Sequence, residues 1–493
     1  MTPDFDHTTA LPHDHCYRAL VARDARFDGV FFTAVTSTGI YCRPICPART
    51  PRAAACRFFG SAAAAEQAGF RPCLRCRPEL APYALQQNLA YAIWQRIAAG
   101  ALNHRDEGGA TEQLAVTVGL SSRQLRRVLL QHFGVTPIEL AQTQRLLFAK
   151  KLLQETTLPM TELAHAAGFG SVRRFNALFA ARYGMAPGSV RRSVDKSRRT
   201  GDALVLRLAY RPPMAWQALL TYLAGRAMPG LEAVDAGAYL RSVQLDGVSG
   251  WLRVVHLPQK NQLQLEVAPA LASVLMPLLA RVRNQFDLDA NPGVIDRHLA
   301  QDPLLAAQIA RLPGLRVPGS FDDFELAIRA VLGQQVSVAG ATTVSGRLVA
   351  RFGAVAETPF AQVNRHFPTA ELLAATPVED IAALGMPRSR AGTIRAVAQF
   401  AVRGGLAMSP GQTLATTVSA LCAVRGIGEW TAQYIALRAL RYPDAFPAGD
   451  LGLQKAAAPQ RLSEAQLLMR AEGWAPWRGY AALRLWQSLR SDP

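Results

Sequence analysis

Residues 421–440 read LCAVRGIGEWTAQYIALRAL. Helically spaced apolar residues flank Gly426-Ile427-Gly428, so the stretch predicts two short helices joined by a tight hairpin. Glycines in that turn let the backbone approach a phosphate and aim N–H groups at it from the start of a helix. Taken alone, such a turn is an ordinary helix-to-helix connection. A short distance downstream, residues 446–456 read FPAGDLGLQKA, a Pro/Gly loop that sets Asp450 just before another helical stretch. From about Phe321 onward the apolar spacing is helical almost to the C-terminus.

Moving towards the N-terminus, the period changes. LVLRLAY (204–210), YLRSVQL (239–245), WLRVVHL (251–257) and QLQLEV (262–267) alternate as strands do, between helical stretches. Before them, SVDKSRRTGD (193–202) is polar and basic without an apolar period, and reads as a linker. Earlier still lies an internal echo. TEQLAVTVGLSSRQLRRVLLQHFGVTP (111–137) is matched by MTELAHAAGFGSVRRFNALFAARYGMAP (160–187). In each, a helix carrying Leu-Ala (Leu114-Ala115, Leu163-Ala164) meets a Gly turn (Gly119, Gly168), a Ser helix start (Ser121, Ser171) and a second amphipathic helix. The predicted motif is helix-turn-helix, twice.

The first 82 residues hold six of the seven cysteines. Cys42 and Cys46 are separated by three residues, Cys73 and Cys76 by two, so each pair can close on one ion from a tight turn. Four thiolates in two such pairs suit tetrahedral zinc. On spacing alone, the leading reading is a zinc that only staples a small domain. Cys16 and Cys56 do not fit the spacing and are expected to be plain thiols.

The whole-chain numbers agree with several globular domains and a polyanionic partner. At 493 residues the chain exceeds one ordinary core. Half of the residues are hydrophobic, which excludes a disordered or fibrous chain. Lys plus Arg number 54 against 36 Asp plus Glu, a formal charge of +18 that favours nucleic acid over an anionic membrane surface. The start, MTPDFDHTTALPHDH, lacks the basic flank and apolar run of a secretory signal, and stretches such as Leu271 to Ala280 are too short to span a bilayer. A cytoplasmic location and no membrane association are expected. In a reducing compartment, clustered cysteines point to metal or chemistry.

Three resemblances extend these readings. TSTGIYCRPICPAR (36–49) with AGFRPCLRCRPE (68–79) resembles the N-terminal domain of the Ada family of methylphosphotriester-sensing repair proteins. The resemblance implies one Zn²⁺ held by Cys42, Cys46, Cys73 and Cys76. It also implies that Cys42 takes a methyl group from a methylated DNA phosphate irreversibly, with Thr38, Arg49 and Arg71 near the phosphate. Four thiolates and Zn²⁺ carry about −2, and methylating one sulfur leaves about −1. Losing that charge beside a phosphate backbone should strengthen DNA binding, which would turn repair into a signal.

Residues 84–192 resemble the DNA-binding domain of the AraC family, including a linking helix around Ile138 to Leu153. Two recognition helices would then enter successive major grooves. Candidate readers of bases and phosphates are Arg123, Gln124, Arg126 and Arg127 in the first unit, and Val172, Arg173, Arg174 and Asn176 in the second. Phe169, Phe175 and Phe179 are expected in the core. The resemblance implies promoter DNA, and RNA polymerase, as partners.

From 204 to about 490 the chain resembles the AlkA-like branch of the helix-hairpin-helix DNA glycosylases. The likeness begins at LAYRPPMAWQALLTYLAGRAMPGLE (208–232), continues through AIRAVLGQQVSVAGA (327–341) and ends at AEGWAPWRGYAALRLW (471–486). It implies excision of alkylated bases such as 3-methyladenine from duplex DNA, with Asp450 as the essential carboxylate. Tyr222, Trp430, Tyr434 and Trp486 match the aromatic lining of the base pocket, although each also suits a core. Cationic alkylpurines stack well on such rings and leave readily. Gly426 and Gly428 would grip the backbone. Gln335 stands where this branch can carry an apolar wedge. Trp430 occupies the position where bifunctional relatives carry a Schiff-base lysine, so no strand cleavage is expected. Only Cys422 lies beyond residue 76, so no iron-sulfur cluster is expected, nor an organic cofactor. The Pro-Cys-His-Arg motif of the second Ada methyltransferase domain is absent.

The expected architecture is multidomain and mainly α. A small zinc-bound α+β domain (1–83) precedes an all-α double helix-turn-helix domain (84–192) and a linker (193–203). A mixed α/β domain (204–316) then leads into an all-α helix-hairpin-helix glycosylase domain (317–493). The alternatives are a transcription regulator whose glycosylase-like region only binds DNA, and a glycosylase whose N-terminal modules only target it.

Overall fold

The computed structural model of the 493-residue chain describes residues 11–82, 89–103, 107–192, 203–407 and 412–491. The predicted linker 193–202 lies outside the described residues. Contacts divide the chain into two bodies. The first comprises residues 1–211, 257–280 and 409–411, and the second comprises 212–256, 281–408 and 412–493. Among the described residues, no helix is long and apolar enough to cross a membrane.

The first body begins with α1 (His13–Val21), followed by strands β1 (Phe32–Val35), β2 (Ile40–Cys42) and β3 (Cys56–Phe59), helix α2 (Ala62–Gln67) and strand β4 (Arg71–Pro72). The strands form one small sheet in the order β3-β1-β2-β4, with β2 and β4 parallel. That parallel pair is what brings the two cysteine turns together, since Cys42 ends β2 and Cys73 follows β4. Cys16 is buried among Phe31, Phe58 and Cys56, away from those turns.

Helices α3 (Leu89–Ala98) to α9 (Pro187–Arg192) follow the predicted pattern closely. The first unit is α4 (Glu107–Thr117) and α5 (Ser122–Phe133), the second α7 (Met160–Ala166) and α8 (Val172–Tyr183), with α6 (Pro137–Glu155) between them. Both Gly turns have positive φ, +69° at Gly119 and +85° at Gly168, where L side chains are strained. Ser121 and Ser171 cap α5 and α8, each accepting a hydrogen bond from the N–H three residues on. Phe169, Phe175 and Phe179 are buried.

The linking helix α6 does more than link. It buries Leu147 in the core of the cysteine-bearing sheet, and it also buries Lys150 and Lys151, cations that periodicity alone would place in solvent. Lys150 Nζ pairs with Glu79 Oε2 at 2.6 Å and donates to the Cys73 carbonyl at 3.1 Å, while Lys151 pairs with Glu155 at 2.8 Å. Buried charges persist only when paired in this way. Strand β5 (Leu204–Ala209) also belongs to this body, in a six-residue antiparallel ladder with the later strand at Gln262–Val267.

The second body opens with α10 (Trp216–Ala224) and an antiparallel run of β6 (Glu232–Asp235), β7 (Ala238–Leu245) and β8 (Val248–Leu257). Strand β6 had no counterpart in the alternation of the sequence. Strand β9 (Gln262–Val267) belongs with β5 to the first body, and α11 (Leu275–Gln285), α12 (Pro292–Leu299) and α13 (Pro303–Arg311) follow it in the chain. The rest is helical, as the spacing predicts: α14 (Asp323–Leu332), α15 (Val338–Phe352), α16 (Ala370–Ala375), α17 (Val378–Ala382), α18 (Arg388–Val402), α19 (Leu414–Cys422), α20 (Glu429–Arg438), α21 (Leu451–Ala456), α22 (Glu464–Ala471) and α23 (Arg478–Ser491). One shared core packs α14, α18 and α20 around Ile328, Val331, Ile394 and Ile435.

Candidate functional site

The four sulfurs of Cys42, Cys46, Cys73 and Cys76 lie within 4.8 Å of one another. Three of these cysteines are buried and Cys42 is the most accessible. Backbone N–H groups already face the cluster, Arg43 N donating to Cys76 Sγ at 3.3 Å and Arg75 N to Cys73 Sγ at 3.4 Å. The thiols also share protons unequally. Hydrogen bonding with Cys42 draws Cys46 down to about 7 and Cys73 lower still, while Cys42 and Cys76 are pushed up by their sulfur neighbours. A compact set of four soft donors fits one thiophilic dication in tetrahedral coordination. Thr38 and Arg49 are exposed and Arg71 is half-buried.

Next to Tyr41, the residue before Cys42, stands Glu66, which no sequence pattern marked. Its carboxylate is fully buried and accepts from Tyr41 Oη (2.9 Å), Thr143 Oγ1 (3.1 Å) and Arg182 Nη1 (3.1 Å). Burial pushes its pKa up to about 7 against the pull of these partners. It therefore ties the residue before Cys42 to α6 and α8. In the recognition helices, Arg123, Arg126, Arg127, Arg173, Arg174 and Asn176 are exposed and Val172 is half-buried. Gln124 is exposed too, but its side chain accepts from Ser121 N at 2.9 Å and closes the capping box of α5.

In the second body, the hairpin between α19 and α20 is built as its glycines require. Gly426 has φ +86°, and a Cβ there would stand 1.9 Å from Thr393 Oγ1; Gly428 is the N-cap of α20. Helix α20 then places Trp430, Tyr434 and Arg438 on one face at four-residue spacing. Trp430 stacks on Tyr434 with centroids 5.4 Å apart and planes 11° apart, and Trp486 of α23 meets Tyr434 at 6.2 Å and 63°. Tyr222 of α10 completes the cage, its hydroxyl 3.3 Å from that of Tyr434. Arg438 donates to both hydroxyls, at 2.8 Å for Tyr222. Burial raises the Tyr434 pKa, and the neighbouring guanidinium pulls it back.

Asp450 stands at the edge of this cage as the N-cap of α21. Its Oδ1 accepts from Leu453 N (2.9 Å) and Trp486 Nε1 (3.1 Å), and its Oδ2 from Trp430 Nε1 (2.9 Å). Two of the aromatic residues thus hold the carboxylate by their N–H groups while their faces line the cavity. The cavity measures about 430 Å³, within the range that takes a small ligand. No lysine is among the residues lining it. At the turn before α15, exposed Gln335 adopts φ +54°, and its neighbour Gln334 anchors that turn by donating to the Gly426 carbonyl (3.1 Å) and Thr431 Oγ1 (3.0 Å). Sequence reasoning missed Arg438 and Gln334; the four-residue spacing from Trp430 and Tyr434 was a signal for the first, and nothing local marked the second.

Comparisons with known proteins match the segments that carry these residues. Residues 15–79 match the metal-binding domain of Ada, 114–193 a helix-turn-helix domain, 205–322 the AlkA N-terminal domain, and 328–478 the HhH-GPD superfamily of base excision DNA repair proteins. A Mycobacterium tuberculosis protein described as "Probable bifunctional transcriptional activator/DNA repair enzyme AlkA" is 38% identical over 97% of this chain and 96% of its own length. The chain belongs to that AlkA-type bifunctional activator and DNA repair family. DNA-3-methyladenine glycosylase 2 of Escherichia coli is 35% identical over 58% of this chain and 98% of its own length. The solved 3-methyladenine DNA-glycosylase of Archaeoglobus fulgidus shares the fold over 58% of this chain and 98% of its own, with a TM-score of 0.51 at 21% identity. This chain combines an Ada-type metal-binding domain with a base excision fold, and DNA is its partner.

Proposed function

We propose that this protein repairs alkylated DNA in two ways and reports one of them to a promoter. The first activity is hydrolytic excision of alkylated bases such as 3-methyladenine, and the observation that carries it is the Asp450 carboxylate held by two indole N–H groups at the edge of an aromatic cavity. Flipped into that cavity, a cationic purine stacks on Trp430 and Tyr434. Asp450 then stabilises the positive charge that develops on the sugar and orients water. Its three hydrogen bonds hold it in one orientation, so it needs no rearrangement as the bond breaks. Trp430 takes the hairpin position and no lysine lines the cavity, which supports hydrolysis without strand cleavage. Gly426 and Gly428 would grip the backbone, and Gln335 would enter the stack beside the extruded base.

The second activity is stoichiometric transfer of a methyl group from a DNA methylphosphotriester to Cys42, the least buried of the four thiols. Zinc held by Cys42, Cys46, Cys73 and Cys76 would keep the sulfurs deprotonated and still nucleophilic. Thr38, Arg49 and Arg71 would position the phosphate. Arg123, Arg126, Arg127, Arg173, Arg174 and Asn176 would then contact promoter DNA, with Gln124 joining them only by leaving its cap, and RNA polymerase would be recruited there. The natural division of labour follows the boundaries 1–83, 84–192, 204–316 and 317–493.

The deciding experiment incubates the protein with duplex containing 3-methyladenine and scores free base, abasic sites and strand breaks. Release of base without breaks is expected. No release would leave a DNA-binding regulator.

A further inference from the structure

Three segments far apart in the chain meet beside the aromatic cavity: the turn 333–337 between α14 and α15, the hairpin at Gly426–Gly428, and the first turn of α18. Gly333, Val336 and Val338 line the cavity, so the turn forms part of its rim, and Gln335 is exposed there at φ +54°. A left-handed conformation costs an L residue energy and persists only where its surroundings impose it. Gln334 and Arg390 supply those surroundings.

The amide nitrogen of half-buried Gln334 has two hydrogens to give, and it donates to the Gly426 carbonyl (3.1 Å) and to Thr431 Oγ1 (3.0 Å) in the first turn of α20. Thr431 follows Trp430, whose indole N–H holds Asp450, so one side chain ties the rim both to the hairpin and to the helix that carries the carboxylate's partner. From the other direction, Arg390 Nη2 donates to the Gln334 backbone carbonyl at 2.6 Å. That carbonyl belongs to the planar peptide joining Gln334 to Gln335, so pinning it fixes the plane about which φ of Gln335 is set. Thr393, one turn further along α18, fills the space at Gly426 that a Cβ would need. Turn, hairpin and α18 are thereby joined through Gln334.

We propose that Gln334 and Arg390 are positioning residues for base extrusion, holding Gln335 in register with the hairpin so that both act on the same base pair. This rests on the base-excision reading, in which Gly426 and Gly428 grip the backbone and Gln335 enters the stack. A loosened turn leaves the hairpin free to bind DNA but loses the fixed geometry that the extruded state needs, so the loss falls on extrusion and not on affinity. It falls least where the target base is already unpaired, because less work is then needed to take it out of the duplex.

The test measures, with the full-length protein, single-turnover release of 3-methyladenine from two duplexes, one with the lesion paired with thymine and one with it mispaired with cytosine, together with binding to abasic DNA. Gln334→Met keeps the length of the side chain and removes both N–H groups. It should slow release from the paired duplex by about fivefold to thirtyfold, the effect of one or two net hydrogen bonds. Release from the mispaired duplex should stay within about twofold and abasic-site binding within about threefold. Arg390→Met should act in the same direction, and Arg390→Lys, which keeps a donor, should restore most of the rate. Adding Gln334→Met to Gln335→Ala should slow release little further, because the first residue acts through the second. Equal slowing on both duplexes would reduce the pair to structural support and overturn the proposal, as would unchanged release from the paired duplex or fully multiplicative effects in the double variant. Should Gln334→Met fold poorly, Arg390→Met, which leaves the amide in place, carries the same comparison of duplexes. Failure of the wild type to release base from either duplex would instead overturn the base-excision reading itself.

Discussion

Replacing Asp450 by Asn probes the glycosylase centre at its most constrained atom. All three partners of the carboxylate are donors: Leu453 N and Trp486 Nε1 on Oδ1, and Trp430 Nε1 on Oδ2. A carboxylate only accepts, so the match is complete. An asparagine amide offers one oxygen and one NH₂. With its oxygen on the Oδ1 side it keeps two bonds and sets its NH₂ against the Trp430 N–H; turned over, it keeps one. The first orientation prevails, and the remaining donor-to-donor contact costs about 1–3 kcal/mol of stability in the second body. The near-isosteric exchange is therefore not silent, although similarity of shape alone suggests that it would be. Loss of the charge should slow excision of 3-methyladenine by about 10²- to 10³-fold, as expected for one preorganised electrostatic partner. Binding to abasic DNA should change only a few-fold, because the charge acts on the transition state. Methyl transfer at Cys42 should be untouched. Adding Trp430→Phe removes the opposed N–H, so the double variant should regain part of the lost stability without regaining activity. The assays are single-turnover base release and thermal unfolding of the full chain. Near-normal excision by Asp450→Asn would remove the carboxylate from the mechanism and refute the reasoning.

Cys42→Ser should abolish methyl transfer and weaken zinc retention, measured by peptide mapping and metal analysis; a methyl group mapped to Cys16 or Cys56 would contradict the assignment. Methylated protein should bind its promoter more tightly than unmethylated protein, with an advantage that shrinks as salt rises, because the switch removes one negative charge near phosphates. A salt-independent advantage would point to a conformational change instead. Burial pushes Asp287 up to about 7, although Arg316 and the Tyr480 hydroxyl at 2.8 Å oppose the shift. Its folded pKa thus lies above the unfolded value, so its contribution is fully present below about pH 4 and is lost as pH rises through 7. Relative to Asp287→Asn, the wild type should lose up to about 4 kcal/mol between pH 4 and pH 8, followed as the difference in Tm between the two proteins. A pH-independent difference would show that the group does not titrate on unfolding.

The parts of this protein that could be read in advance are those whose cause is local. Helix starts at Ser121 and Ser171, positive φ at Gly119, Gly168 and Gly426, and the cysteine pairs within their turns each depend on residues a few positions apart. The same holds for the helical run after Phe321, where the apolar period is enough. Short strand β6 escaped because four residues give alternation too little length to register. Gln124 looked like a DNA contact because it is polar on a basic helix, yet its position three residues after Ser121 equally suits a capping box, and the fold uses it there.

By itself, the sequence determined the class of each module, the four sulfur ligands offered to a metal, and which carboxylate and aromatic residues to examine, since spacing and turn chemistry are properties of the chain. Only the tertiary structure decided how those residues act together. Lys150 and Lys151 are buried on α6 because Glu79 and the Arg207 carbonyl meet them from distant positions in the chain. Trp430 and Trp486 hold Asp450 by their N–H groups, which places them in two roles at once. Burial and hydrogen-bond pairing are set by residues far apart in the chain, and no local pattern encodes which distant group will arrive.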